Sequence, residues 1–205
     1  MFTFNSIIST MRIRFIFFLL IPVFVSSCAK KSIGSSTASS VSYIESLVPG
    51  TYFEYKLGNG GFTDKIVSSD HNKSGRNYNM RVRYYSWGAT DTAYFRLAEA
   101  GLMAYDQETG GETIDIPANP TTGFTWMESD NSWKYVIKAT DAELTTPQGM
   151  YKNLLIIQAT QLTGRDKEKM SQYHNYYAPG IGFVASMIEG QLVCYLTEHK
   201  IGDKE

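Results

Sequence analysis

The sequence has few of the features that assign a function class directly. It contains two cysteines and three histidines among 205 residues, so no framework of several disulfides can form. Its longest apolar run is about half of the roughly 20 residues that a membrane-spanning helix needs. Lys and Arg together number 19, against 20 Asp and Glu, which gives no basic surface for nucleic acid. Disulfide scaffolds, helical membrane proteins and nucleic-acid-binding proteins are therefore set aside.

Catalytic and metal-binding motifs are missing as well. The histidines, His71, His174 and His199, lie outside the H-E-x-x-H spacing of zinc enzymes. The sequence has no G-x-S-x-G nucleophile elbow and no glycine-rich phosphate loop in front of a helix. We therefore predict a non-enzymatic protein with no catalytic residues, no metal site and no cofactor. A hydrolase that acts on the cell envelope, with a site assembled in space, is kept as an alternative.

Acidic residues cluster at one place in the sequence. Asp106, Glu108, Glu112 and Asp115 border the dipeptide Gly110-Gly111. Paired carboxylates could act as a general acid and a general base, but glycines beside them are typical of a turn. We interpret this cluster as a turn exposed to solvent.

The N-terminus has the pattern of an export signal. Two arginines stand before an apolar run of 11 residues, Phe15 to Val25, and a signal-peptide core needs about 7 to 15. The run leads into Val25-Ser26-Ser27-Cys28, which resembles the small-residue box and obligatory cysteine of bacterial lipoprotein signals. In that family the cysteine thiol is diacylated, as with palmitate, and becomes the first mature residue. The resemblance predicts a signal peptide over residues 1–27 and a lipid at Cys28.

A second start codon lies inside this signal. Met11-Arg12-Ile13-Arg14 opens a shorter signal, and residues 1–10 add nothing that such a signal needs. We therefore expect translation to begin at Met11 rather than at Met1. Cys28 is the predicted site of lipidation with either start.

The residues after Cys28 predict where the anchored protein resides. In the Gram-negative lipoprotein family an Asp directly after the cysteine favours the inner membrane; Ala29 stands there, so the resemblance implies the outer membrane. Lys30 and Lys31 are opposite in charge to the acidic patch of some surface lipoproteins, which favours a periplasm-facing position. Small polar residues follow and predict a flexible tether over residues 28–42. Two or three acyl chains would hold the protein firmly to the membrane of the cell envelope.

The second cysteine has no partner if Cys28 is lipidated. Cys194 alternates with Leu192 and Leu196, which predicts a position on the packed face of a strand. A free buried cysteine behaves as a small hydrophobic residue. We therefore interpret Cys194 as an unreactive thiol.

Residues 43–205 have the length of one domain and a two-residue periodicity that predicts strands. Apolar or aromatic residues alternate with polar ones in Thr51–Leu57, Tyr78–Tyr85 and Trp133–Lys138. Because antiparallel sheets usually have one packed and one wet face, we expect Arg81 and Arg83 to face water. The sequence predicts a mainly β fold, an antiparallel curved sheet or an open barrel or sandwich with little helix.

Helix signals are weak in this domain. Short helical turns are expected only near residues 43–47 and 165–170, and neither segment has the length of a major helix. In contrast, Leu154-Leu155-Ile156-Ile157 is apolar on both faces. This pattern predicts a strand that is covered on both sides.

The domain also contains internal similarity. Three pairs of segments match in residue type: Phe95–Ala104 with Tyr176–Ala185, Gly50–Phe53 with Gly123–Trp126, and Asn77 with Asn153. Repeated segments are typical of duplicated folds. We predict two half-repeats of about 50–116 and 117–205, joined at residues 117–120.

Three stretches resemble a β-rich lipoprotein domain of unknown function that is common in Bacteroidetes: Leu47–Tyr55, Thr146–Asn153 and Tyr176–Val184. The last stretch is the most specific, with a Tyr-Tyr-Ala-x-Gly-Val/Ile-Gly signature. Phe53 stands where the family more often has Trp, and Ala185 where it more often has Lys. The resemblance implies a curved antiparallel sheet and supplies no catalytic residues.

The signature also has a physical interpretation. Pro179-Gly180 predicts a turn, and Gly182 predicts a close approach by another strand or ring. Tyr176 and Tyr177 are expected to point to opposite faces of a strand.

Two binding functions remain open. The first is a lipoprotein that holds an apolar or lipid-like ligand, or another envelope component, in the hollow of the curved sheet; this is an analogy at the level of the fold. The second is a glycan- or protein-binding module that uses exposed rings. The candidate ligand-binding residues are Tyr52, Tyr85, Trp87 and Tyr177. The expected partners are the membrane, through the lipid, and a lipid, a glycan or an envelope protein, with no nucleic acid.

Overall fold

The computed structural model describes residues 42–164 and 172–203, which form twelve β-strands in a single antiparallel sheet without a helix. The strands are β1 (Tyr52–Leu57), β2 (Gly60–Lys73), β3 (Arg76–Tyr85), β4 (Thr90–Ala98), β5 (Gly101–Tyr105), β6 (Glu112–Pro117), β7 (Thr125–Met127), β8 (Trp133–Thr146), β9 (Gly149–Gln161), β10 (Gln172–Ala178), β11 (Gly182–Ile188) and β12 (Gln191–Lys200). The predicted mainly β class is confirmed.

Several predictions fall on other residues. The signal peptide, Cys28 and nearly all of the tether lie outside the described part of the chain, as does the helical turn expected near residues 165–170. The turn expected near residues 43–47 is not helical. Within the described ranges no helix has the length and apolar character to cross a membrane.

The sheet consists of two six-stranded meanders. The strand order is β6-β5-β4-β3-β2-β1-β12-β11-β10-β9-β8-β7, so β1 and β12 join the meanders at the centre. The sheet curves into a nearly closed, barrel-like form. Register shifts interrupt the two longest hairpins, β2–β3 and β8–β9, and such bulges bend strands and increase their twist.

The edge strands β6 and β7 meet through side chains. The indole nitrogen Nε1 of Trp126 donates a hydrogen bond of 2.6 Å to the carbonyl oxygen of Ile114. The amide of Ser129 donates to the hydroxyl oxygen of Thr113 at 2.8 Å. These bonds hold the two edges together where no backbone ladder between them is recorded among the described residues.

The two ends of the barrel-like sheet differ. Because antiparallel strands reverse at alternate ends, the turns at residues 58–59, 86–89, 106–111, 128–132 and 189–190 share one end, which we call the open end. At the opposite end lies the N-terminal segment, residues 42–51. Its Ser42 carbonyl accepts a bond of 2.8 Å from the Gly180 amide, and the hydroxyl of Tyr43 donates to the Thr140 carbonyl at 2.8 Å.

The matching sequence segments occupy equivalent strands of the two meanders. Phe95–Ala104 covers the turn from β4 to β5, and Tyr176–Ala185 covers the turn from β10 to β11. Gly50 and Gly123 stand two residues before β1 and β7, with φ angles of 86° and 89°. A duplication of one ancestral half stays a prediction.

The strand predicted to be covered on both faces is β9. Leu154 and Leu155 have no exposed surface, and Ile157 is 1% exposed. Leu155 and Ile157 belong to one buried cluster that also holds Trp126, whereas Leu154 belongs to a second cluster. The adjacent residues therefore pack on opposite faces of the strand.

Candidate functional site

The interior of the barrel-like sheet contains a cavity of about 290 Å³, which we call the inner cavity. Six rings line it: Tyr55, Phe62, Tyr85, Tyr173, Tyr177 and Phe183. Five charged residues also line it: Glu45, Asp64, Arg81, Arg83 and Asp115. An interior of this composition binds polar groups as well as apolar ones.

Arg83 and Asp64 form the best-defined ion pair in the inner cavity. The two residues are direct partners in the β2–β3 ladder, and the guanidinium contacts both carboxylate oxygens at 2.7 and 2.8 Å. The guanidinium carbon also lies 4.0 Å from the ring centroid of Phe62. Burial alone would lower the pKa of Arg83, but the hydrogen bonds and charge of Asp64 outweigh it and raise the pKa.

Arg81 connects this pair to the N-terminal segment. Its Nη1 lies 3.2 Å from Glu45 Oε1 and its Nε lies 3.8 Å from Asp64 Oδ2. Burial raises the pKa of Glu45, although the charge of Arg81 opposes the shift. Two carboxylates and two guanidiniums thus balance one another, and we call these four residues the ion-pair network.

Asp115 faces the same cavity without such a partner. It lies on the edge strand β6, and no hydrogen bond or ion pair joins its carboxylate to any residue of the described ranges. Burial raises the pKa of Asp115 even though the charges of Arg81 and Arg83 act to lower it.

A second cavity of about 160 Å³ adjoins the first and shares with it Asp115, Tyr173, Asn175 and Tyr177. Its lining contains the carboxylates of Asp115 and Glu128 and, within the described residues, no Lys or Arg, so we call it the carboxylate chamber. Burial raises the pKa of Glu128, whose carboxylate accepts a hydrogen bond of 3.1 Å from Tyr135.

A third cavity, of about 390 Å³, lies at the open end and shares Thr113 and Glu128 with the carboxylate chamber. Its acidic residues are Asp106, Glu108, Glu128 and Asp130, and no basic residue of the described ranges lines it. The described lining of this cavity is therefore acidic where it adjoins the chamber.

The acidic residues interpreted as one solvated turn have three different roles. Asp106 accepts hydrogen bonds from the hydroxyls of Ser129 and Thr109, at 2.6 and 2.5 Å, which lower its pKa to about 2. Glu112 pairs with two arginines, and Asp115 lies in the interior. The turn interpretation is confirmed for the segment near Asp106 and wrong for Glu112 and Asp115.

The candidate ligand-binding residues do not form one exposed row. Tyr52 lies on β1 and donates a hydrogen bond of 2.6 Å to Glu198. Tyr85 lines the inner cavity, and its ring stacks on Trp87 with centroids 4.5 Å apart. Trp87 is 60% exposed. Tyr177 is 8% exposed and lines both the inner cavity and the carboxylate chamber. The expectation that this ring is exposed is therefore wrong.

The signature around Tyr177 has the predicted turn. Pro179-Gly180 lies in the connection between β10 and β11, with a φ of 73° at Gly180. A Cβ at Gly182 would lie 2.7 Å from the Cβ of Glu45. The expected close approach is present, but the N-terminal segment makes it rather than a strand or a ring.

The three histidines lie on three different strands, and Cys194 lines the inner cavity. His71 contacts Ser68 Oγ at 2.6 Å, His199 stacks on Phe53, and His174 is partly buried on β10. The described residues contain no cluster of three or more potential metal ligands. Burial raises the pKa of Cys194 to about 12, which keeps it a thiol.

The sequence pattern of β3 predicts the wrong face for two residues that line the inner cavity. Arg81 and Arg83 were expected to face water, yet they line the inner cavity, whereas Tyr84 of the opposite face is 43% exposed. Ion pairs and contacts with Phe62 and Phe95 make this interior face favourable for the arginines. Opposite charges on the two arms of the β2–β3 hairpin are the signal that could have indicated it.

No family model, no curated protein and no solved structure matches the chain.

Proposed function

We propose that this chain is a lipid-anchored, non-enzymatic lipoprotein of the cell envelope that binds a small ligand inside its barrel-like sheet. The observation that supports binding is the inner cavity of about 290 Å³ with six rings in its lining. Cavities of about 300–1,000 Å³ are typical of small-molecule sites. The size favours a small molecule over a whole diacyl lipid.

The lining restricts the polarity of this ligand. Rings favour an apolar body, since burying apolar surface is worth about 25 cal/mol per Å². A fully apolar ligand, however, would leave Asp115 without a polar partner and still more deeply buried, which costs free energy. Of the apolar or lipid-like ligands expected from the sequence, the cavity therefore fits an amphipathic molecule better than a purely apolar one.

Binding rather than catalysis is supported by the state of the charged groups. Arg81, Arg83, Glu45 and Asp64 are engaged with one another in the ion-pair network. Groups held in this way fix the shape of the interior. We assign them a structural role.

Native mass spectrometry tests the proposed binding. Residues 29–205, purified without the lipid, should carry a small molecule that organic solvent releases. Ser186→Phe should abolish its retention, because Ser186 lines the inner cavity and the larger side chain fills it. Ser69→Phe, at an exposed position, is the matched control. A wild-type domain that never carries a molecule and binds no amphipathic probe would contradict the proposal.

The anchor is tested separately. Radiolabelled palmitate should travel with the wild-type mature protein and be absent from Cys28→Ala, which should also keep its signal peptide uncut. Labelling that persists in the variant would contradict lipidation at Cys28.

The stacked pair of Tyr85 and Trp87 supports a second candidate function, the binding of a glycan or protein surface. Trp87 is 60% exposed and rests on Tyr85, and such rings anchor sugars and protein interfaces. A glycan array and a pull-down from envelope extract with wild type and Trp87→Ala test it. A signal that depends on Trp87 supports this function, and silence in both assays contradicts it.

A further inference from the structure

We propose that the ligand carries a protonated amine and that the carboxylate chamber binds this group; the inference rests on the proposed function of the interior as a small-molecule site. The ammonium would lie near Asp115 and Glu128, with the body of the ligand among the rings of the inner cavity. The ligand class is an organic amine.

The charges of the two cavities favour a cation. Within the ion-pair network two guanidiniums balance two carboxylates. Asp115 and Glu128 do not belong to this network, and no Lys or Arg of the described residues lines the chamber that contains them. When both are ionised the interior carries an excess of negative charge, which a bound ammonium would neutralise.

The chamber is also rich in tyrosine. Tyr135, Tyr173 and Tyr177 line it, and aromatic rings attract ammonium groups when water is excluded. Two carboxylates are too few for Ca²⁺, which takes six to eight oxygen ligands. Rings and two carboxylates together suit an organic cation better than a metal ion.

Tyr177 lies where the two cavities meet. Its side chain is 8% exposed and lines both of them. A phenol hydroxyl can accept a hydrogen bond from an ammonium and donate one to an alcohol. The hydroxyl of Tyr177 would therefore pair with the polar group of a ligand that spans the two cavities.

The surroundings of the chamber favour the arrival of a cation. The cavity at the open end shares Glu128 with the chamber and is lined by Asp106, Glu108 and Asp130. Clefts lined by one sign of charge raise the local concentration of the opposite charge. Both interior arginines, the groups that would bind an anion, are already paired with carboxylates.

Three probes with one phenethyl body test the charge preference. Isothermal titration of residues 29–205 at pH 7.5 should rank 2-phenylethylammonium first, 2-phenylethanol second and 3-phenylpropanoate last. Tighter binding of the carboxylate would overturn the inference and assign the arginines to ligand binding. Equal binding of the alcohol and the amine would overturn it too, while leaving the proposed function intact.

Point variants locate the ammonium. Asp115→Asn should weaken binding of the amine by about 10- to 100-fold, the range for a hydrogen bond to a charged group, and should change binding of the alcohol little. Glu128→Gln should act in the same direction, and Tyr177→Phe should weaken binding of both the amine and the alcohol. Asp141→Asn, which removes a carboxylate from an exposed position of β8, is the matched control.

The readouts separate the two proposals. Thermal unfolding confirms that each variant is folded before titration. If the amine binds but Asp115→Asn and Glu128→Gln leave its affinity unchanged, the chamber is not its site and this inference fails. If none of the three probes binds and native mass spectrometry finds no molecule sensitive to Ser186→Phe, the proposed function fails as well.

Discussion

At the scale of single residues, Asp115 is a carboxylate whose place in the interior costs stability. It has no ion-pair partner in the described ranges, and burial raises its pKa above the ordinary 3.8. Functional groups are often held at such a cost. We expect Asp115→Asn to raise the free energy of unfolding at pH 7 by about 0.5–2 kcal/mol.

The pH dependence of this gain has a definite sign. Because the folded protein holds the Asp115 proton to higher pH than the unfolded chain, ionisation reduces stability as the pH rises through the raised pKa. The advantage of Asp115→Asn should therefore be smaller near pH 4 than at pH 7. Urea unfolding at both values measures it, and an advantage that grows as the pH falls would contradict the assignment.

Glu112 is the opposite case. Hydrogen bonds from Arg96, at 2.5 and 2.7 Å, are the main cause of a pKa lowered to about 2, from the usual 4.5. Tyr78 donates to the same carboxylate at 2.6 Å, and Arg76 pairs with it as well. The stability from this cluster is present above pH 4.5 and is lost as the pH falls towards 2.

Replacement of Glu112 tests this cluster. Glu112→Gln should lower the free energy of unfolding at pH 7 by about 1–3 kcal/mol, and the difference should shrink towards pH 2. The control is Glu143→Gln, because Glu143 is 58% exposed and lies 3.5 Å from Lys152. Exposed pairs of this kind contribute about 0–1 kcal/mol. Equal effects in chemical denaturation would refute the distinction.

At the scale of elements, the turn from β10 to β11 supports the N-terminal segment. Gly180 and Gly182 both have positive φ, 73° and 99°, but only Gly182 would place a Cβ against Glu45. Alanine at Gly180 should cost about 1–2 kcal/mol for backbone strain alone. Alanine at Gly182 should cost about 1–3 kcal/mol more through overpacking.

Limited proteolysis distinguishes the two glycine variants. In Gly182→Ala the displaced Glu45 should expose residues 42–51 to cleavage, whereas in Gly180→Ala this segment should stay protected. Equal protection and equal unfolding free energies would show that the segment does not depend on this contact.

The contact between the edge strands is a second feature at this scale. Trp126→Phe keeps most of the ring but removes the hydrogen bond to the Ile114 carbonyl, which should cost about 1–3 kcal/mol. Hydrogen exchange should quicken in β6 and β7 more than in β1 and β12. Trp133→Phe is the control, since no hydrogen bond of the Trp133 indole is recorded among the described residues. Uniform exchange changes in both variants would argue against closure through Trp126.

At the scale of the whole molecule, the sequence predicts the class of fold but not its interior. Alternation in Thr51–Leu57 correctly predicts a strand with Phe53 and Tyr55 buried. The same pattern in Tyr78–Tyr85 predicts a strand but the wrong interior face. A barrel-like sheet can enclose charges when ion pairs satisfy them, so polarity alone does not identify the side of the strand that faces the core.

The candidate site was harder to predict because it joins distant strands. The sequence predicts Tyr85 and Tyr177 as ligand-binding rings, but it does not predict that Tyr177 lies inside the sheet. It predicts Asp115 only as part of a turn, because the proximity of Asp115 to Tyr173 and Tyr177 depends on the nearly closed curvature that brings β6 towards β10. No local spacing encodes that proximity.

The position of Ser42 has a consequence for the way the domain is attached. Ser42, the first described residue, lies at the end of the sheet opposite the cavity lined by Asp106 and Glu128. A lipid on Cys28 would therefore attach the domain through that end, and the acidic cavity would lie at the end farther from the point of attachment. We expect a ligand that enters through the acidic cavity to arrive from the aqueous compartment.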